Sequence, residues 1–506
     1  MKVMLIAPTM AYRSPRYPTF LSMSDFPSGL AYLAGALKAA GHEVKGLNLN
    51  NDTRYKTAYD MVRNVVVEWI DRFQPELIGI GGLCIDYHCI RDTMEIIRTA
   101  EPKIPIVLGG GIVNHDDEFI FEHLKPNYAV VGEGEEAIVR IANGGVSEGI
   151  IQSVAGDPDS YALPDYEAFG ASDMVDNYSM ATRVLYKYSR PDPRPFVIVT
   201  ARSCPFHCTF CVHNHGAPYR ARSIPNIMEE IRVNYDKYHF NILLILDELF
   251  AVNNARLREF CEGILKGKVD YGWDFDWTFQ CHASANFDLE TLQLAKQAGC
   301  YMFSYGIESA SQTVLDSMEK KSKVEQIVEA VRLAKEAKIG FSGNLIFGDP
   351  AETDDTLAES LCFWLKYARD AFVFLSYITP YPGSKLFDTL VERGVIKDKV
   401  AYYEAIDNVM VNMTKIPQRD WENRMIACQM LEQGWFFPRT VKGKVERDSH
   451  GEMLERYMGP IHKVTAVCPH CGATIIYRHP MGQINENSFL GVGCTNCQQR
   501  VRINLQ

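Results

Sequence analysis

The sequence predicts an α/β protein in four parts: a doubly wound, Rossmann-like sheet domain, a partial (β/α)6 barrel, a helical segment and a small ribbon carrying four cysteines. Three observations predict it. Short apolar runs alternate with helical patterns over the first 148 residues, a second series of the same kind runs from about 195 to 380, and two Cys-x-x-Cys pairs close the chain. With 506 residues the chain is too long for one ordinary core, so several domains are required.

The first series reads "VMLIAP", "LAYLAGALKAAG", "EVKGLNL", "ELIGIGG", "IRDTMEIIRTA", "IPIVLGGG" and "YAVVGEGEEAI". Strands so apolar need helices on both faces, and their Gly-rich ends are where a doubly wound sheet binds ligands. Residues 1–148 are read as this domain, and 149–192, rich in Asp, Pro, Gly and Tyr, as a linker. The strand candidates "PFVIVTAR", "LLILDELF", "WTFQCHA", "YMFSYGIES", "FSGNLIFGDP" and "AFVFLSYITPYPG" assign 193–385 to the barrel. A mainly helical segment is expected over 386–460, and the cysteine-bearing module over 461–506.

Composition narrows the class. The sequence has no apolar run near the roughly 20 residues that span a bilayer, so no transmembrane segment is expected. "MKVMLIAPT" is cut short by Pro8 and reads as a buried strand rather than a signal peptide, which makes a cytoplasmic location the expectation. A net charge of −11 gives no general attraction to nucleic acid, which is not an expected partner. The 14 cysteines, in a reducing compartment, are metal ligands or small core residues rather than disulfides.

Cys204, Cys208 and Cys211 lie in "SCPFHCTFCV", directly after a strand, with Phe210 before the last thiol. Three thiolates hold three irons of a cubane and leave the fourth open. A closed zinc site needs a fourth ligand, which His207 or His213 would have to supply.

At this point the sequence resembles the radical S-adenosylmethionine enzymes, from about residue 195 to 385. The resemblance implies a 4Fe-4S cluster on Cys204, Cys208 and Cys211, the catalytic residues, whose open iron binds S-adenosylmethionine and whose electron cleaves it to a 5'-deoxyadenosyl radical. Phe210 corresponds to the aromatic residue near the adenine. "YGIES" with Glu308 and "GNLIFGDPAET" with Asn344 resemble cosubstrate-binding strands; Ala351 stands where the family usually has Gly. "PYPGSKL" resembles the close of the sixth strand. An electron donor such as flavodoxin or ferredoxin is implied.

Upstream, "FPSGLAYLAGALKAAGHEVKGLNLN", "IVLGGGIV" and "VVGEGEEAI" resemble the cobalamin-binding domain of one class of these enzymes. The resemblance places cobalamin near Leu83, Cys84, Gly109, Gly110, Gly111 and Gly132. "DYHCIR" superficially matches an Asp-x-His-x-x-Gly signature, but Arg91 replaces the Gly and the segment follows the wrong strand, so His88 is read as coincidence. A relic domain that docks on the barrel without cofactor is the alternative.

Cys468, Cys471, Cys494 and Cys497 form two knuckles that can close a tetrahedral site. The module resembles a zinc ribbon, with rubredoxin-like iron as the runner-up. Of the other cysteines, Cys84, Cys89, Cys261, Cys300, Cys362 and Cys428 read as core, whereas Cys281, beside His282, is placed where an inward side chain meets substrate. The resemblance implies methylation of an unactivated carbon of a small molecule or lipid. The alternatives are radical oxidation, cyclisation or rearrangement without methyl transfer, and a binding module with a vestigial barrel.

Overall fold

The computed structural model describes residues 1–9, 26–49, 55, 57–176, 189–190, 193–212, 218–406, 409–432, 440–448, 460–481, 484–485 and 488–505. Six strands, β1 (Lys2–Ala7), β2 (Glu43–Asn48), β3 (Leu77–Gly81), β4 (Ile106–Gly109), β5 (Tyr128–Val131) and β6 (Gly149–Gln152), form a parallel sheet in the order β2-β1-β3-β4-β5-β6. Their apolar runs are buried on both faces, with Val3, Met4 and Leu5 fully inaccessible. The strand order reverses at β1, which opens a crevice beyond the carboxyl ends of β1 and β3. Gly149–Gln152, read from sequence as the start of a linker, is instead the edge strand paired with β5. It is only four residues long, too short for its alternation to stand out.

The rest of that segment is not a loose tether either. Tyr166 packs 5.4 Å from Phe26 of the first domain and 4.7 Å from Phe196 of the second, and its hydroxyl donates to Glu230 Oε1 at 2.5 Å. It therefore glues the two sheets together.

The second sheet runs β7 (Pro195–Ile198), β10 (Ile242–Ile245), β11 (Asp276–His282), β12 (Cys300–Glu308), β13 (Gly340–Phe347) and β14 (Phe372–Tyr377), all parallel and spatially in sequence order. β7 and β14 are its edges, so the barrel is partial, as expected. Between β7 and β10 a small hairpin, β8 (Ala201–Arg202) with β9 (Arg220–Ala221), frames the cysteine loop. The crossovers return by helices, and Ser223, Asn253, Asp288 and Thr353 cap four of them in a way the sequence spells out. For Asn254–Tyr271 the Asn253 side chain accepts the Arg256 N–H at 3.0 Å, and Gly272 ends the helix at φ +68°. Trp277 anchors the layer beneath, with Phe260 4.9 Å away and its indole N–H donating to Ala298 O at 3.2 Å.

The segment 386–460 is helical only in part. Helices Lys385–Glu392, Lys399–Ala405 and Gln418–Glu432 are followed by β15 (Thr440–Lys442) and β16 (Lys444–Arg447), which pair with the terminal strands β17 (Ile461–Val467) and β20 (Arg500–Asn504). With β18 (Thr474–Pro480) and β19 (Phe489–Gly493) they make two three-stranded sheets that share one small core. These two short strands are identified by their partners, not by their own pattern. The ribbon docks on the amino-terminal end of the barrel sheet. The Arg500 N–H donates to Asp370 O at 2.8 Å, and a Cβ at Gly340, the first residue of β13, would lie 2.9 Å from Gln498 Cβ, so only glycine permits the approach.

Candidate functional site

The cysteine loop leaves β8 through Ser203, a non-glycine residue at φ +66°. Cys208 is buried, and Cys204 and Cys211 are partly exposed. The loop is held from three sides: the Thr209 N–H donates to Met318 O at 3.0 Å, Thr209 O accepts the Leu386 N–H at 3.1 Å, and Phe206 stacks on His282 at 3.9 Å. Among the described residues, the only group of three or more His, Cys, Asp or Glu whose ligand atoms all lie within 4.8 Å of one another is the C-terminal four cysteines. Cys204, Cys208 and Cys211 do not all lie that close together, so they do not present the compact geometry of a single zinc ion. His213, the other zinc candidate, lies outside the described residues.

Beside the thiols lies Lys320, only 6% exposed, whose ammonium is 3.1 Å from Glu308 Oε1 and 5.9 Å from the Phe210 ring centroid. Burial alone would lower the Lys320 pKa, but Glu308, and then Cys208, hold it above its ordinary value. Burial raises all three thiols, Cys211 to about 12, against the pull of Lys320. Glu308 sits at φ +60° at the end of β12. Burial, and then Lys320, lower His282 to about 3, so its ring is neutral: Nε2–H donates to Lys320 O at 2.9 Å and Nδ1 accepts from the Ser284 N–H at 3.2 Å. His282 thereby buttresses both the cysteine loop and the Lys320 turn.

Strand alternation settles which residues face the interior of the barrel. Gln280, Asn344 and Ser376 are exposed there, whereas Cys281 is buried and donates to Ser304 O at 3.7 Å. The expectation that Cys281 meets substrate is corrected: a period of two turns Gln280 inward and Cys281 out into the core. Sequence reasoning missed Lys320, because "MEKKSK" reads as a solvated charge run; only its return beside Glu308 reveals the buried lysine.

A cavity of about 900 Å³ opens between the carboxyl ends of the two sheets. Leu83, Gly109, Gly110, Gly111 and Gly132 line it from the first sheet, and Arg202, Ser203, Leu246 and Glu248 from the barrel. Gly110, at φ +86°, could carry no side chain: a Cβ would lie 2.8 Å from Gly82 O. Cys84, expected among the cobalamin contacts, is absent from the wall. It is buried in the core beneath, because the turn Cys84–Asp86 rotates Leu83 into the cavity and Cys84 away from it. His88 is elsewhere too, its imidazole against Glu404 of the helix Lys399–Ala405. A cavity of this size, walled by backbone and small residues, suits a large planar cofactor lying on the sheet.

In the ribbon, Sγ–Sγ distances of 3.7 Å separate Cys468 from Cys497 and Cys471 from Cys494. A metal–sulfur tetrahedron with arms of about 2.3 Å has edges of about 3.8 Å, so the four thiols have single-ion geometry. Backbone N–H groups of His470 and Asn496 donate to Cys468 and Cys494 at 3.4 Å, which favours thiolates.

Comparison with known proteins agrees with this geometry. The B12 binding domain family matches residues 26–142, and the Radical SAM superfamily residues 198–363. An uncharacterized methyltransferase of Pyrococcus horikoshii is 26% identical, over 81% of this chain and 88% of its own length. The anaerobic magnesium-protoporphyrin IX monomethyl ester cyclase of Rubrivivax gelatinosus is 27% identical, over 74% of this chain and 68% of its own. The solved structure of TsrM from Kitasatospora setae, a radical S-adenosylmethionine methyltransferase, shares the fold with a TM-score of 0.59 at 18% identity, covering 78% of this chain and 76% of that one. The chain thus carries a B12 binding domain at residues 26–142 ahead of a radical SAM domain at residues 198–363, the two-domain arrangement its sequence resembles.

Proposed function

We propose that the enzyme transfers a methyl group to an unactivated carbon of a small molecule. The observation that carries this reading is the single cavity shared by both sheets, whose wall includes Ser203, the residue just before Cys204. When bound, the cluster supplies the electron that cleaves S-adenosylmethionine, and the corrinoid supplies the methyl group. Cys204, Cys208 and Cys211 would hold the cluster; Leu83 and the glycines at 109–111 and 132 would bed the corrinoid. Phe210, Glu308 and Asn344 would receive S-adenosylmethionine, and the ammonium of Lys320 is available to its carboxylate. The polar interior presented by Gln280, Asn344 and Ser376 supports a hydrogen-bonding substrate over a lipid.

Setting the cavity between two sheets would limit the water that reaches the radical chemistry. A flavodoxin or ferredoxin would supply the electron, and zinc would fill the C-terminal site. Likeness to the cyclase favours a second reading, radical chemistry without methyl transfer. Anaerobic turnover with methyl-labelled S-adenosylmethionine tests the first: a product that gains the labelled methyl group supports it, and an unlabelled product of altered mass supports the second. Replacing Cys204, Cys208 and Cys211 by Ala should abolish 5'-deoxyadenosine formation while circular dichroism stays unchanged. Undiminished formation would sink the radical assignment.

A further inference from the structure

The cysteine loop is framed by two arginines that leave the barrel for the other domain. In the hairpin of β8 with β9, Arg202 lies opposite Arg220, one residue before the loop and one after it returns. Both guanidinium groups reach Glu133, Arg202 at 3.5 Å and Arg220 at 3.2 Å to its second oxygen, and Arg202 also binds Glu135 at 2.5 Å. Glu133 occupies the N-cap position and Glu135 the first turn of the helix Gly134–Ala142, directly after Gly132 of the cavity wall. Arg202, Glu133 and Glu135 themselves line the cavity.

The network is built rather than incidental. Arg202 lies 4.9 Å from the Tyr32 ring centroid and 4.8 Å from that of Tyr161, whose hydroxyl donates to Glu133. The four charged side chains are at most 18% exposed. Burial alone would raise Glu133, but hydrogen bonds from Arg220 and Tyr161 outweigh it and hold its carboxyl below the usual range. Buried pairs of this kind add little net stability, because desolvation offsets their attraction; what they fix is geometry. One atom is left over: Glu135 Oε2 is buried with no hydrogen-bond partner among the described residues, on a side chain that lines the cavity.

We infer that Arg202 and Arg220 are positioning residues that lock the cluster loop to the wall of the corrin cavity, so that cluster loading and corrinoid binding strengthen each other. This rests on the function proposed above. Ordering the loop fixes Arg202, Arg202 fixes Glu133 and Glu135, and these present the wall. Thermodynamic linkage makes the effect mutual.

The test measures hydroxocobalamin affinity of the full-length protein, prepared anaerobically with and without its reconstituted cluster. In the wild type the cluster should tighten binding about 5-fold or more. In Arg202→Met the ratio should fall to one, with iron content and circular dichroism unchanged, whereas a merely structural role would weaken both affinities and leave the ratio standing. Glu135→Gln, nearly isosteric, should lose the coupling as well, and it serves if Arg202→Met does not fold. Coupling that survives in either folded variant, or a ratio of one in the wild type, overturns the inference alone. A wild type that retains no hydroxocobalamin overturns the inference together with the cobalamin reading on which it rests.

Discussion

At the scale of single residues, the carboxyl end of β13 holds an acid that water barely reaches. Glu352 is 2% exposed; burial raises its pKa to about 8, although it accepts the Gly348 N–H. Because the folded-state pKa lies above the ordinary 4.5, the native state binds more protons than the unfolded chain between about pH 4.5 and 8. The contribution of this carboxyl to stability must therefore fall as pH rises through that window, by up to about 1.4 kcal/mol for each pH unit. Glu352→Gln, which keeps the acceptor without the ionisation, should flatten the decline and raise the melting temperature at pH 8 by several degrees. Thermal melts at pH 5 and pH 8 check this, and an unchanged pH slope would show that Glu352 is not held neutral.

Elements supply the next level. The helix Lys399–Ala405 packs on the first domain through Tyr403, 5.5 Å from Phe119, and through the pair of His88 with Glu404. The imidazole is thus spent on an inter-element contact away from the cavity. His88→Ala should retain one corrinoid per chain and cost less than about 1 kcal/mol, because the pair is partly exposed. Loss of corrinoid from this variant would show that His88 helps to hold it and that its match to the signature is no coincidence. The ribbon is the second case. Its core is small and its strands are short, so a metal ion on its four thiols should hold it together. Cys468→Ser with Cys494→Ser should unfold the ribbon, seen as new hydrogen exchange in β15 to β20, while 5'-deoxyadenosine formation at the barrel continues. β13 alone separates the docking end from the cluster end by roughly 20 Å or more. Loss of radical initiation in that variant would contradict a purely supporting role.

For the whole molecule, the decisive feature is the cavity made by two sheets that meet at their carboxyl ends. Gly109 has nothing within 3.7 Å of an added Cβ and lines that cavity, so a large side chain there should fill the space without disturbing the fold. Gly109→Phe should weaken hydroxocobalamin binding by about 100-fold or more, near 3 kcal/mol, with the melting temperature nearly unchanged. Titration followed by absorbance checks it, and wild-type affinity would mean that the corrinoid lies elsewhere. The sequence by itself determined the two βα series, the three-thiol loop and the closed four-thiol site, because periodicity, glycine-rich strand ends and ligand spacing are local properties of a chain. It did not reach β6, β15 and β16, whose few residues become strands only through their partners. Nor did it reach Lys320, Arg202 or the inward turn of Gln280 in place of Cys281. A buried charge and the face of a strand are set by what packs against them. Only the tertiary structure brings residues 12 to 87 positions apart, Lys320 to Glu308 and Arg220 to Glu133, into contact.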